Sequence, residues 1–346
     1  MAMAEPPRVR EPRSARSGGR AKRVTIADVA RAADASVSTV SRVLNGIGTV
    51  DPVLADRVRL AIEELGYRPS AAAQGLARGR SGSIGVLVPD LANPHFSDLI
   101  KTFSASARER GARVVVMDSD EDPGVERELA EELMRYADGL LLASPRMPRQ
   151  ELAALVARGV PLLVANRQEP GLALTSVCVD FYQGLLALCG HLSQLGHRKV
   201  AYLAGPQGSW ANKERLRALS GARAFGLEVT VLACGSTTDE GYGAGPAVVE
   251  SAATAVVAYN DFVALGLLSR LTEMGVRVPG ELSLTGFDEI DLARYSSPPL
   301  TTVAVPRGGL GRVAGDALAR LMAGDEGIES VTLPVELRVR GSSGPI

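Results

Sequence analysis

A regular alternation of short apolar segments and longer amphipathic segments fills the chain from Ser83 onward. The apolar segments, such as SIGVLVPD, DGLLLAS and VPLLVANR, are rich in Val, Leu and Ile, and stretches with helical spacing separate them. This pattern predicts parallel strands covered by helices on both faces. A second series of the same kind begins near Ser176, so the sequence predicts two doubly wound α/β lobes.

The composition fits a globular protein. Of 346 residues, 46% are hydrophobic and 22% are charged. The longest apolar runs are too short to span a bilayer, and the N-terminus lacks the apolar run of a signal peptide. We therefore expect a cytoplasmic protein without a membrane partner, whose three cysteines are buried thiols.

Polar side chains stand where the predicted strands end. Open parallel sheets bind ligands at that edge, and carboxylates and amides suit a small polyhydroxylated ligand. The alternative is that they are loop and helix-cap residues, where Asp and Asn are common. The set comprises Asp90, Asp120, Ser144, Asn166, Asp180, Asn260, Asp261 and Asp288, with Arg215 on a helix after a strand end.

The segment from Val24 to Gly46 reads as two short helices around a turn at Asp34-Ala35. Thr25 with Asp28 predicts a capping box for the first helix, and Ser36 predicts a cap for the second. The apolar face of the second helix is Val40, Val43 and Leu44, and its other face suits DNA bases and phosphates. The segment thus predicts a helix-turn-helix, and a plain helical hairpin with a solvated polar face is the alternative that fits the same spacing. Its DNA-contacting residues are predicted to be Thr25, Val37, Ser38, Thr39, Ser41, Arg42 and Asn45.

Charge separates this head from the rest of the chain. Residues 1–80 carry 14 Lys/Arg and 8 Asp/Glu, whereas residues 81–346 carry 24 and 31. Only the basic head is expected to meet a polyanion. Asp51 and Pro52 predict the start of a third helix, whose Val53, Leu54, Val58, Ala61, Ile62 and Leu65 would close a small core.

No catalytic motif emerges from the sequence. The glycine-rich stretches 241–245 and 308–311 do not match phosphate-binding motifs and are interpreted as turns. His95, His191 and His197 lack metal-ligand spacing, and no GxSxG motif is present. We expect neither an enzyme nor a cofactor or metal site.

Residues 23–341 resemble the LacI/GalR family of bacterial transcription regulators. The resemblance rests on VTIADVARAADASVSTVSRVLNG, LGYRPSAAAQGLARGRS, GVLVPDLANPHF, LGHRKVAYLAGP, Tyr259-Asn260-Asp261, Thr285-Gly286-Phe287-Asp288 and SPPLTTV in this order. The chain departs from the family pattern at three places. The family usually has an acidic residue at the position of Asn166, Phe-Phe at that of His95-Phe96, and Gly-Phe at that of Ala218-Leu219.

The resemblance implies a dimeric DNA-binding head and a two-lobed core like that of periplasmic sugar-binding proteins. It assigns Val37, Ser38 and Arg42 to base contacts, and Leu76 to a hinge helix that wedges into the minor groove. It selects Asn166, Arg215, Asn260 and Asp288 as effector contacts. With Asp90 from the strand ends and Phe96 and Trp210 as apolar faces, these residues complete the predicted effector site.

The predicted organisation is a disordered tail at 1–22, the helix-turn-helix head at 23–69, a hinge at 70–80 and the core at 81–341. Lobe 1 takes about 81–175 and 304–327, and lobe 2 about 176–303 and 328–341. The predicted function is an effector-controlled repressor that binds a pseudo-palindromic double-stranded DNA operator as a homodimer or tetramer. A sugar is the expected effector, with a nucleoside or purine as the alternative. The rival functions are a solute-binding protein without a DNA role and a sugar-processing enzyme.

Overall fold

The computed structural model describes residues 24–45, 49–67 and 81–346. The chain divides into two compact units with the boundary between residues 77 and 78. The tail at 1–22 and the predicted hinge, with Leu76, lie outside the described residues.

The N-terminal unit contains three helices: α1 (Ile26–Ala32), α2 (Val37–Asn45) and α3 (Pro52–Glu64). The predicted capping box begins α1, since Thr25 Oγ1 accepts from the Asp28 amide and the Asp28 carboxylate accepts from the Thr25 amide at 3.0 Å. The hydrogen bonds from Thr25 lower the pKa of Asp28. Asp51 caps α3 by accepting from the Leu54 amide at 3.1 Å. The predicted starts of these helices are confirmed.

The three helices close around a small apolar core. Val29, Val40 and Val58 are fully buried at its centre. The prediction that Val53 joins this core is wrong, because its side chain is 70% exposed. Val53 lies five residues before Val58, which places it well off the buried face of a helix with 3.6 residues per turn.

Each lobe of the C-terminal unit is built on one sheet of six strands. The first sheet comprises β1 (Ser83–Val88), β2 (Arg113–Asp118), β3 (Gly139–Ala143), β4 (Leu162–Ala165), β5 (Thr175–Val179) and β11 (Val331–Leu333). The second comprises β6 (Lys199–Ala204), β7 (Glu228–Ala233), β8 (Ala255–Ala258), β9 (Ser283–Asp288), β10 (Thr301–Ala304) and β12 (Glu336–Arg338). The strand orders are β11-β5-β4-β3-β1-β2 and β12-β10-β9-β8-β6-β7, parallel except that β12 runs antiparallel to β10. Two doubly wound lobes are therefore confirmed.

Helices cover the sheets, and β3, β4 and β8 are buried along their whole length. This covering explains why these strands are apolar throughout. The helices are α4 (Pro94–Glu109), α5 (Pro123–Tyr136), α6 (Arg149–Val156), α7 (Phe181–Gln194), α8 (Trp210–Leu219), α9 (Thr238–Gly243), α10 (Gly245–Glu250), α11 (Asp261–Glu273), α12 (Asp291–Tyr295) and α13 (Arg307–Met322). A short 3-10 helix spans Ala222–Phe225. Within the described residues, no helix is both long and apolar enough to cross a membrane.

The chain crosses between the lobes three times, after Val179, after Ala304 and after Leu333. The first crossing differs from the predicted boundary at 176, because Thr175–Val179 pairs with β4 in the first sheet. The predicted last strand, SVTLPVELRVR, is likewise two strands in different sheets, interrupted at Pro334, which has no amide proton to donate.

The two glycine-rich stretches interpreted as turns are helical instead. Gly241 belongs to α9 and Gly311 to α13. A side chain on Gly241 would meet the backbone of Val263 in α11, and one on Gly311 would meet the backbone of Leu99 and Phe103 in α4. These glycines therefore allow close helix packing. From the local sequence alone, a glycine needed for packing cannot be distinguished from a glycine needed for a turn.

The three cysteines are free thiols. Cys178 and Cys189 are buried, and burial raises the pKa of the Cys178 thiol to about 12 and that of Cys189 to about 11. Cys234 is only partly buried, so the expectation of three buried thiols is wrong for this residue.

Candidate functional site

The second helix of the head presents a polar, exposed face. Asp34 adopts a left-handed conformation at the predicted turn, with φ 49°, and Ser36 Oγ accepts from the Thr39 amide at 3.1 Å. Val40 anchors the opposite face in the core. The helix is therefore oriented by its apolar side and leaves the other side open to a groove of DNA.

The predicted DNA-contacting residues differ in accessibility. Val37 is 47% exposed, Ser38 and Arg42 are exposed, and Thr39 and Ser41 are half-buried. Thr25 lies at the start of α1, where its hydroxyl is used in the cap. Asn45 ends α2, but the disposition of its side chain lies outside the described part of the chain.

Five of the seven predicted effector residues line one cavity between the lobes, which we call the inner cavity. They are Phe96, Asn166, Arg215, Asn260 and Asp288. Phe96 and Asn166 come from the first lobe, and the other three come from the second. The cavity measures about 30 Å³, room for one or two water molecules, so a sugar requires the lobes or side chains to move apart.

The other two predicted residues lie elsewhere. Asp90 lines a larger opening of about 900 Å³, the outer cleft, which shares Glu121 and Ser236 with the inner cavity. Trp210 lines a separate groove of about 310 Å³ beside the first crossing between the lobes. The structure therefore does not bring Asp90 or Trp210 to the inner cavity.

Arg215 is the most deeply buried charged side chain lining the inner cavity. The residue is 2% exposed, and its guanidinium lies 4.0 Å from the Phe287 ring centroid, 4.7 Å from Tyr259 and 5.1 Å from Phe181. Its Nε and Nη1 have no hydrogen-bond partner among the described residues, and no described carboxylate forms an ion pair with it. A buried guanidinium in this state favours a ligand that supplies acceptors.

His95 joins the two lobes at the same cavity. Its Nε2 lies 3.1 Å from Asn166 Nδ2, and its Nδ1 lies 3.7 Å from Asp288 Oδ1 across the cleft. Burial lowers the pKa of His95, which favours the neutral ring. Because the amide nitrogen donates to Nε2, the neutral ring carries its proton on Nδ1, facing Asp288.

Asn260 is held mainly by the protein itself. Its Oδ1 accepts from the Val263 amide at 2.8 Å and caps α11, while its Nδ2 donates to the Ser236 carbonyl at 2.9 Å. Neighbouring Asp261 is fully buried, which raises its pKa well above the usual value. It accepts from Thr302 Oγ1 at 2.6 Å and from the Ile290 amide at 2.9 Å, and so fixes the turn after Asp288.

A second polar bridge between the lobes was not anticipated from the sequence. Arg146 forms a two-point ion pair with Glu121, at 2.7 and 2.9 Å. The Ser236 hydroxyl of the second lobe donates to Glu121 at 3.1 Å. Glu121 and Ser236 thus stand between the inner cavity and the outer cleft. In the sequence, the only indication of this bridge was that Asp120 and Ser144, which lie close to its residues in the chain, stand at predicted strand ends.

Backbone strain concentrates at the strand ends beside the cleft. Six non-glycine residues there have φ between 51° and 106°: Asp120, Glu121, Ser144, Asn166, Asp288 and Glu289. Such conformations cost free energy and persist where the surrounding structure enforces them, often at ligand sites. Two of these residues, Asn166 and Asp288, line the inner cavity.

A three-helix DNA-reading head followed by a two-lobed ligand-binding core defines a ligand-responsive transcription regulator. Residues 25–70 match the family of bacterial regulatory proteins described as the lacI family, and residues 189–343 match the periplasmic binding protein-like domain. The chain belongs to the LacI family. The predictions of a regulator with a helix-turn-helix, and of a protein that is not an enzyme, are thereby confirmed.

Individual relatives match most of the chain. The HTH-type transcriptional regulator GalS of Salmonella typhimurium is 35% identical over 308 residues, which are 87% of this chain and 91% of that protein. The lac repressor dimer bound to operator and the anti-inducer ONPF is 28% identical with a TM-score of 0.82, covering 93% of this chain and all of that one. A LacI family regulator of Enterococcus faecium with bound ribose is 27% identical with a TM-score of 0.69, covering 76% and 99%.

Proposed function

We propose that this protein represses transcription by binding a DNA operator as a homodimer, and that a sugar in the inner cavity controls this binding. The observation that carries the effector half is the buried polar cluster of Asn166, Arg215 and Asp288. These side chains come from both lobes, and Arg215 and Asn166 keep buried polar atoms without partners in the described residues. A ligand with several hydroxyls supplies both donors and acceptors to such a cluster.

The head reads DNA through α2 in the major groove. Exposed Arg42 and Ser38 offer hydrogen bonds to base edges, and the surplus of positive charge in residues 1–80 attracts phosphates. Two heads related by a twofold axis meet a pseudo-palindromic operator, and a tetramer would pair two such dimers. The lac repressor, which this chain resembles, is bound to its operator as a dimer.

The effector acts by shifting a population of conformations. A ligand that contacts Asn166 from one lobe and Asp288 from the other favours the lobe arrangement in which both contacts form. The free energy of these contacts limits how far operator affinity can change. We place this activity in the cytoplasm, where chromosomal DNA is available.

Operator selection from random DNA with the full-length protein tests the DNA half of this proposal. We expect one enriched pseudo-palindromic sequence, bound with an affinity that falls steeply as salt rises. Arg42→Ala is the control, since it removes an exposed donor of α2 without touching the buried core. A protein that enriches no sequence would contradict the repressor and leave the solute-binding alternative.

The effector half is tested on the selected operator. Sugars and nucleosides are added to the protein–operator complex, and fluorescence anisotropy of labelled DNA reports release or recruitment. A sugar that changes operator affinity in the wild type but not in Asp288→Ala supports the inner cavity as its site. A response of normal size in both Arg215→Ala and Asp288→Ala would exclude this site.

A further inference from the structure

We propose that the effector is an aminodeoxy sugar, whose ammonium group pairs with Asp288 in the inner cavity. This inference rests on the proposed function, because it names the chemical class of the ligand that the same site takes.

The first observation concerns two acceptors that line the inner cavity. Asp288 is 7% exposed, and its carboxylate receives no hydrogen bond from the residues that the structure describes. Asn166 is 2% exposed, and its Oδ1 also has no partner there. A cavity-lining carboxylate and a buried amide oxygen, neither of which has a donor, call for a donor-rich group on the ligand.

The nearest donor does not satisfy this need. His95 Nδ1 faces Asp288 Oδ1 at 3.7 Å, which is beyond hydrogen-bond distance. Burial keeps the His95 ring neutral, so it does not supply a positive charge to balance Asp288. An ammonium carries three donors and one positive charge, so it supplies Asp288 with both.

The second observation is the charge of the path into the cavity. The inner cavity and the outer cleft together are lined by five carboxylates, namely Asp90, Asp120, Glu121, Glu240 and Asp288, but by only two cationic side chains, Arg146 and Arg215. Arg146 and Glu121 neutralise each other. Burial raises the pKa of Asp90, and the nearby carboxylates of Asp118, Glu121 and Asp120 add to the effect. A cleft with this surplus attracts cationic ligands and disfavours anionic ones.

Arg215, which lines the same cavity, suits the rest of a sugar. Arg215 Nε and Nη1 are donors without partners, and hydroxyl oxygens of a sugar are acceptors. The cavity therefore presents both acceptors and donors that lack partners. An aminodeoxy sugar offers its ammonium to Asp288 and its hydroxyl oxygens to Arg215, whereas a sugar acid would pair with Arg215 and leave Asp288 without a counter-charge.

Matched sugars test the proposal on the full-length protein. Glucose, glucosamine and N-acetylglucosamine, and the corresponding galactose series, differ chiefly in the charge and substitution at one carbon. We expect each amine that binds to do so about tenfold more tightly than its neutral partners in titration calorimetry at low salt. The same amines should change operator affinity in the anisotropy assay.

Three variants separate charge recognition from general damage. Asp288→Asn should reduce the preference for the amine to less than about threefold, because it removes the charge and keeps the shape. Asn166→Asp should increase the preference, because it adds a second carboxylate. Glu250→Gln, an exposed residue at the end of α10, is the control for net charge and should leave the preference unchanged.

The outcomes are distinct. Neutral sugars that bind as tightly as the amines, or an amine preference that survives Asp288→Asn, would overturn the proposal. If neutral sugars alter operator affinity and amines do not, the amine proposal fails and the proposed function stands. If no sugar of either series binds, the amine proposal is overturned, and operator selection still decides whether the protein is a regulator.

Discussion

Replacing Arg215 with methionine should separate its role in ligand binding from its role in stability. Methionine keeps an unbranched side chain among Phe181, Tyr259 and Phe287 but removes the charge and both donors that lack partners. The lost cation–π contacts cost up to about 2 kcal/mol each, because the guanidinium is desolvated. The two unsatisfied buried donors that disappear had each cost about 1–3 kcal/mol. These effects offset each other, so the stability of the variant should lie within about 2 kcal/mol of the wild type.

Ligand binding should weaken. A hydrogen bond from a charged group contributes about 1.5–3 kcal/mol, which corresponds to a ten- to hundredfold loss of effector affinity. Arg215→Ala, by contrast, should lose affinity and also about 2–4 kcal/mol of stability, because it leaves a void between the rings.

The chain offers a convenient probe for both variants. Trp210 is its single tryptophan and lies on the same helix as Arg215, so its fluorescence reports unfolding of the core alone. Thermal melts followed by this signal give stability, and anisotropy with labelled operator gives the effector response. A methionine variant that melts well below the wild type yet responds to the same effector concentration would show that Arg215 only braces the lobe.

Four further predictions concern other parts of the chain. Arg42→Ala should reduce discrimination against single base changes in the operator by about 1–3 kcal/mol, and an unchanged base preference in competition assays would exclude Arg42 from readout. Leu76→Ala, predicted from the sequence alone, should weaken operator binding far more than binding to random DNA, and equal losses on both would refute the wedge. Gly266→Ala should destabilise the core by about 3 kcal/mol or more, since the added carbon would overlap the backbone of α9, whereas Gly243→Ala meets no atom within 4 Å and should be tolerated. Burial lowers the pKa of His95 below its usual 6.5, so the wild type should lose up to about 1.4 kcal/mol of stability per pH unit as the pH falls below that value. The unfolding free energy, measured by urea unfolding at several pH values, should depend less on pH in His95→Phe. An identical pH dependence in the two proteins would contradict the assignment.

The local features of the fold could be predicted because they depend on neighbouring residues. Thr25 with Asp28 and Asp51 with Pro52 mark helix starts through interactions within one turn. The uninterrupted apolar segments predict parallel sheets. The assignment of β5 and β11 to the first sheet could not be predicted, because alternation along the chain does not state which lobe a strand joins.

The candidate site was predictable in part for a related reason. Strand-end position identified Asn166 and Asp288, and both line the inner cavity. The roles of His95 and Arg146 depend on partners 71 and 25 residues away, in pairs that only the folded chain creates. Trp210 shows the opposite kind of error. The sequence predicted this aromatic side chain to line the effector site, whereas in the structure it lines a separate groove.

The three crossings between the lobes have a mechanical consequence. One residue, Asp180, separates β5 from α7, and two residues separate β10 from α13 and β11 from β12. Linkers this short extend by only about 3.3–3.6 Å per residue, so the lobes cannot slide or separate on the side where the chain passes between them. The permitted motion is a rotation about that side. Its displacement grows with distance from the axis, as in a lever.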